Sequence, residues 1–250
     1  MDEHLVEHAR RLVVRRFPGA LAAALAGSAA AGRMTASSDL DVVVLVGDGG
    51  VGFRETVRAG GRLVELFVHT PTVLDEIFAA DAVSRRATMQ TMWAHGRVLL
   101  DTGGAAQRVR ARARDELRAG PPALAAHQVE ERRYGLTAEL DDLGDARDPA
   151  ERLVVATGVL DLAADLLCDH RRAWVGSGKW RPRRLREADA ELGGALLAGH
   201  LRMCAHGEAA PLAEAAAEVL GLVGGPLREG YRREWPGDRR AAVPRRADRA

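Results

Sequence analysis

An α+β fold in two parts is what the 250-residue sequence predicts: a mixed β-sheet with flanking helices over residues 1–104, then a helical bundle over 105–235. Three observations carry this. Residues 39–46, "DLDVVVLV", are a β-branched run bounded by polar and Gly-rich turns, as a buried strand requires. Residues 53–70 hold two β-like runs around Gly60-Gly61, a two-residue loop that tolerates the positive φ of hairpin turns. Past "DTGG" at 101–104 the strand signals stop, and helical segments separated by Gly and Pro breaks take over.

The elements follow in chain order. Residues 4–17 put Leu5, Val6, Ala9, Leu12, Val13 and Phe17 at helical spacing, and Pro18-Gly19 ends that helix. "ALAAALAG" (20–27) has high helix propensity, but it is short and runs into Gly-Ser, which predicts a strand. The 39–46 strand and the 53–70 hairpin come next. Thr70-Pro71-Thr72 opens a helix, with Thr72 and Asp75 in an approximate capping arrangement. A further helix is expected over 82–94 and a short strand over 97–101. The second part should hold helices near 105–119, 123–143, 150–172, 183–205 and 211–223. There is no internal repeat. The tail 236–250, "PGDRRAAVPRRADRA", is expected to be disordered.

Composition narrows the function classes. With 47% hydrophobic and 28% charged residues, the chain reads as a soluble globular protein, and its net charge of +1 makes a nucleic-acid partner no expectation. No apolar run approaches the roughly 18 residues needed to span a bilayer. The N-terminus lacks the apolar core and cleavage site of a secretory signal, so a cytoplasmic location is expected. Cys168 and Cys204 have no C-x-x-C spacing, which argues against a zinc site or disulfide framework and for reduced, partly buried thiols. Of 36 basic residues only Lys179 is a lysine.

The chemistry concentrates in "GSAAAGRMTASSDLDVVVLV", Gly27 to Val46. Strand alternation puts Asp39 and Asp41 on one face, roughly 6.6 Å apart along the chain. Like charges that close raise each other's pKa unless a cation compensates, and hard divalent cations such as Mg²⁺ take carboxylate oxygens together with substrate phosphates. Glu65, in the otherwise apolar "RLVELFVHT", supplies a third carboxylate that is expensive to place there without a partner. Three carboxylates on two adjacent strands could hold two metal ions for in-line displacement at phosphorus. In the Gly27-Ser28 pair, glycine lets backbone N–H groups approach a phosphate and serine adds a hydroxyl donor, with the dipole of any following helix in support. The plainer alternative has Asp39 capping a turn after Ser37-Ser38 and Asp41 facing solvent, but it leaves Glu65 and the Gly-Ser spacing as coincidences.

Together, Gly-Ser, ten intervening residues, "DLD", an aliphatic strand and a carboxylate on a nearby strand resemble the DNA polymerase β-like nucleotidyltransferase superfamily. The small N-terminal unit followed by helices looks most like its minimal branch and the aminoglycoside and lincosamide nucleotidyltransferases. The resemblance covers residues 20–70. It implies that Gly27 and Ser28 hold nucleotide phosphates, that Asp39 and Asp41 bind Mg²⁺, and that Glu65 is a third metal ligand or the base acting on the acceptor hydroxyl. The implied reaction moves a nucleoside monophosphate, AMP from ATP or another NTP, to a hydroxyl of a small molecule such as an aminoglycoside-like antibiotic. A protein-modifying antitoxin-type transferase and a non-catalytic nucleotide-binding module are the competing expectations.

In the second half, "HRRAWVGSGKWRPRRLR" (170–186) carries seven Arg or Lys and no acid, with Trp174 and Trp180 among them. One reading is nucleic-acid binding by arginine contacts and tryptophan stacking. Another is that the Gly-Ser-Gly-Lys turn reaches the N-terminal part, where Lys179 neutralises a triphosphate, as the resemblance also implies. For most of these arginines a solvated face is the plainer account. "GSGK" lacks the upstream glycine and following Ser/Thr of a P-loop. A cationic acceptor would favour an acidic cleft, for which Glu130, Glu131, Glu139, Asp141, Asp142, Asp161 and Asp165 are available.

Overall fold

The computed structural model describes residues 3–35 and 37–234; the tail expected to be disordered lies outside them. Helix α1 (Glu3–Arg16) is followed by strand β1 (Ala22–Leu25), a one-turn helix α2 (Gly27–Ala30) and β2 (Leu40–Leu45). The hairpin is β3 (Phe53–Ala59) and β4 (Arg62–His69), then come α3 (Pro71–Ser84), α4 (Thr88–His95), β5 (Arg97–Asp101) and α5 (Ala105–Ala119). The helical part comprises α6 (Ala126–Asp145), α7 (Pro149–His170), α8 (Arg181–Ala188), α9 (Leu192–His206) and α10 (Ala210–Leu222). The expected α+β class is the observed one.

The five strands form one mixed sheet in the order β3-β4-β2-β1-β5. β2 runs parallel to β4, and every other neighbouring pair is antiparallel. The hairpin turns at Gly60 and Gly61, both at positive φ (54° and 80°), as a primed two-residue turn demands.

Helices cover both faces, and strand alternation sorts the side chains between them. Ala23, Leu25, Val42, Val44, Leu66 and Val68 pack with Val6, Ala9, Leu12 and Val13 of α1. Ala22, Ala24, Val43 and Leu45 face the opposite way, toward Phe78 of α3, Trp93 of α4 and Ala106 and Ala113 of α5. By the same parity Asp41 and Glu65 belong to this second face. A separate core gathers Leu136, Leu166, Leu167, Leu196, Leu212 and Val219 of the helical part. There Gly193 and Gly199 allow close crossings: a Cβ would lie 2.4 Å from the Leu185 carbonyl oxygen or 2.6 Å from the Leu212 amide.

Four expectations need correction. The break between the helix opened at 70–72 and the further one expected over 82–94 falls later: α3 runs to Ser84, Arg85 and Ala87 take left-handed φ (59° and 52°), and α4 begins only at Thr88. The Asp81 carboxylate accepts from the Met89 amide at 2.7 Å, so α3 caps α4. The helix expected over 183–205 is also broken, because Asp189 accepts from the Leu192 amide at 2.9 Å and restarts the chain as α9. Helix α3 is capped by Thr70, not Thr72: Thr70 Oγ1 accepts from the Val73 amide at 3.3 Å, and Pro71 occupies the first turn. Of the two thiols Cys168 is buried, whereas Cys204 is exposed.

Candidate active site

A cavity of about 660 Å³ opens where the sheet ends against α4, the turn before α8 and the N-terminus of α8. Gly27, Asp39, Asp41, Glu65 and Lys179 all line it. Of the residues expected in the nucleotide and metal site, Ser28 alone is off this wall; it sits half-buried in α2.

Local structure accounts for each placement. Asp41 lies second in β2, in register with Glu65 on parallel β4, so the two side chains are neighbours at one sheet end. Asp39 precedes β2 by one residue rather than lying within it, yet it reaches the same cavity. Gly27 follows β1 at φ +61°, and a Cβ there would fall 1.7 Å from Asp41 Oδ2. Its glycine is demanded by the aspartate as well as by the left-handed backbone. The loop from Val175 to Lys179 is tied to the sheet part by the Arg85 carbonyl, which accepts from the amides of Val175 (2.9 Å) and Gly176 (3.4 Å). That tether brings Lys179 across the cavity.

The electrostatics of the site weigh most on Asp41. Burial, then the charges of Asp39 and Glu65, push Asp41 up to about 6, against smaller opposing effects of Lys179 and Arg54. Glu65 has found a partner: Arg54 donates to its Oε1 from Nε at 2.8 Å and from a terminal nitrogen at 2.5 Å, while stacking over Phe67. Among the described residues no group of three or more His, Cys, Asp or Glu side chains is arranged to hold a metal ion. Asp39 and Asp41 nonetheless suit a hard divalent cation in donor chemistry, and the raised Asp41 carboxyl is what such a cation would relieve. Glu65, held by Arg54, is not free to join them in this arrangement.

No family model matches the chain, and no curated protein does. Among solved structures, it is similar to a nucleotidyltransferase-like protein from Exiguobacterium sibiricum, at 11% identity and a TM-score of 0.45, over 88% of this chain and 74% of that one.

Several cavity residues were not singled out in the sequence. Arg54 was within reach: a turn at Gly60-Gly61 pairs Arg54 with Phe67 and Thr56 with Glu65, which puts Arg54 diagonal to Glu65 on the same face. Arg33, Arg86, His95 and Arg184 carried no such signal, because the chain folds them in from loops and helix ends. The two tryptophans of the basic segment diverge. Trp174 is buried and donates from Nε1 to the Leu117 carbonyl at 3.1 Å. Trp180 lies on the cavity wall with the guanidinium groups of Arg33 and Arg183 over its ring, 5.4 and 4.9 Å from the ring centre. Among the described residues no helix is long and apolar enough to cross a membrane.

Proposed function

We propose that the protein is a nucleotidyltransferase that moves a nucleoside monophosphate, from ATP or another NTP, to the hydroxyl of a small molecule. The observation that carries the reading is the convergence of Asp39, Asp41, Gly27 and Lys179, from separate stretches of the chain, on one cavity. In the transfer the acceptor oxygen bonds to the α-phosphorus as the bond to the departing pyrophosphate breaks, and the hydroxyl proton is lost to a base or to water. A Mg²⁺ ion held by Asp39 and Asp41 would supply charge neutralisation at the phosphates. Lys179 offsets further negative charge from the opposite wall, and Gly27 keeps the backbone beside Asp41 open. Glu65 can act as base or ligand only once Arg54 releases it, so its role is coupled to Arg54. Positioning and charge neutralisation carry most of the catalysis in phosphoryl-type transfer. A concave site of this volume, walled by both parts of the chain, suits a small acceptor better than a hydroxyl presented by a protein surface.

The test is incubation with α-labelled ATP and Mg²⁺ against a fractionated metabolite extract, following both transfer of label and release of pyrophosphate. Asp39→Asn and Asp41→Asn should each abolish both signals while circular dichroism stays native. Near-normal turnover in either variant would refute the assignment.

A further inference from the structure

Among the described residues, Trp180 is the one tryptophan that the packing of the molecule does not consume. Trp93 is wholly buried, and Trp174 is 6% exposed with its indole N–H given to a carbonyl. Trp180 is half-buried and lies in the cavity wall. Its backbone is fixed. It closes the turn Gly178–Trp180, its amide donates to the Ser177 carbonyl at 3.0 Å, and α8 starts at the next residue. Lys179 precedes it on the same turn and lines the same cavity. Consecutive Cα atoms lie about 3.8 Å apart, so one cationic and one flat side chain can serve the phosphates and the base of a single nucleotide.

The ring stands on the side of the cavity where Gly27 and Asp39 lie. Arg33, 5.4 Å from the ring centre, belongs to the connection between α2 and Asp39, which runs on from Gly27. This guanidinium is weakly held. It is exposed, and it makes no ion pair and no hydrogen bond among the described residues. Arg183, 4.9 Å from the ring centre, is a local neighbour in the first turn of α8. Ala30 and Ala31, just before Arg33, line the cavity with side chains too small to fill it. An exposed cation–π contact is worth about two- to fivefold in an equilibrium constant, whereas a base stacked on an aromatic side chain is worth about five- to a hundredfold. A base therefore displaces Arg33 from the ring. Among the described residues no Asn or Gln lines the cavity, so the wall offers a base a flat face and not a carboxamide edge.

We infer that Trp180 is the platform on which the nucleobase of the NTP stacks, in exchange for Arg33. The inference rests on the transferase reading, which makes a nucleotide the occupant of the wall formed by Gly27, Asp39 and Asp41.

The experiment titrates two Mg²⁺ complexes into the protein and into Trp180→Ala and Trp180→Phe. One is the non-transferable analogue α,β-methylene-ATP; the other is tripolyphosphate, which has the charge but no base. Calorimetry reads the affinities, and tryptophan emission reads the stacking. The analogue should quench the emission of the parent and leave that of Trp180→Phe almost unchanged, and tripolyphosphate should quench neither. Trp180→Ala should weaken analogue binding about five- to a hundredfold, with Trp180→Phe restoring most of the loss. Tripolyphosphate affinity should stay within about twofold in both variants, which also shows that the turn carrying Lys179 keeps its place. Equal losses for both ligands would make Trp180 a support for that turn and overturn the inference. So would an analogue that binds Trp180→Ala as tightly as the parent, and the transferase reading would then stand with its base bound elsewhere. If neither ligand binds the parent, the transferase reading itself falls, and the inference with it.

Discussion

Gly27 and Asp41 constrain each other, and the constraint is measurable. An alanine at position 27 would keep a left-handed backbone at a cost of about 1–2 kcal/mol and would drive its Cβ into the Asp41 carboxylate. Gly27→Ala should lower stability by at least about 2 kcal/mol in urea denaturation, and it should abolish transfer by displacing Asp41; a variant with native stability would mean that the carboxylate can rotate away freely. Asp41 also sets a pH dependence. Its folded-state pKa, about 6, lies above the ordinary 3.8, so the folded state binds more protons than the unfolded one between those values. Stability from this group is therefore greatest below pH 4 and is lost as pH rises through 6. In metal-free buffer Asp41→Asn should be more stable than the parent at pH 7.5 by on the order of 2 kcal/mol, with the difference vanishing by pH 4. An equal difference at both pH values would mean that ionisation is not its source. At this scale the sequence was informative: a "DLD" at a strand mouth, a strand-borne glutamate and a preceding Gly-Ser are visible as letters. What it hid was the answer to the charge on Glu65. Nothing in the one-dimensional pattern says that Arg54, eleven residues earlier, already neutralises it, unless the hairpin register is worked through.

Among the elements, those with their own punctuation were legible and those without it were not. Pro18-Gly19, Gly60-Gly61 and the "DTGG" turn mark breaks that the chain obeys. The α3–α4 break, at "SRRAT", has neither glycine nor proline, and it exists because tertiary contacts compel it. Arg85 there is buried, pairs with Asp169 of α7 at 3.2 Å, and donates to the Pro122 carbonyl at 2.6 Å. The Asp169 carboxylate also accepts from the Leu124 amide at 2.9 Å. A left-handed arginine is thus held by partners 37 and 84 residues away, as hydrogen bond and ion pair respectively, which no local window can display. Removing one member of a buried pair strands the other charge. Asp169→Ala should cost about 3–5 kcal/mol, and Asp169→Asn less, because the amide still accepts from Leu124. Guanidinium denaturation monitored by far-ultraviolet circular dichroism reads both, and a loss below about 1 kcal/mol in the alanine variant would make the pair a mere surface bridge.

At the scale of the whole molecule, the cavity exists only because the helical part leans over the sheet end. The Arg85 carbonyl, the Arg85–Asp169 ion pair, the Trp174 indole and the Arg184–Thr91 bond are among the points of attachment, and Lys179 rides on the loop they help to hold. Lys179→Ala should therefore weaken nucleotide use about ten- to a hundredfold, the worth of a charge-assisted phosphate contact, while leaving the melting temperature unchanged. Lys179→Arg should rescue only part, since the planar fork has a different reach. An unaltered nucleotide KM and kcat in the alanine variant would remove the loop from the nucleotide site. The succession of a sheet and then helices was readable from the switch of hydrophobic period at 101–104, but α5, past that switch, packs Ala105, Ala106 and Ala113 against the sheet rather than with the later helices. The packing of one part on the other was not, because it depends on the contacts of Arg85 and Trp174 rather than on any repeating pattern.

The strand β1, "AAAL", has one consequence for how the chain is made. It precedes the other four strands of this sheet in the chain, yet it ends up inside the sheet, between β2 and the edge strand β5. Its partner β5 begins at Arg97, and at about 5–20 residues per second the intervening chain takes several seconds to emerge. During that wait β1 has an open edge on one side or both. A run of valines or isoleucines there would be a template for pairing with other nascent chains, whereas alanine brings little of the β-branched, strongly apolar character that drives such assembly. The small side chains then let α1 and α4 approach the finished sheet closely from either face. A strand that looked weak as a sequence signal is thus well suited to being synthesised early and completed late.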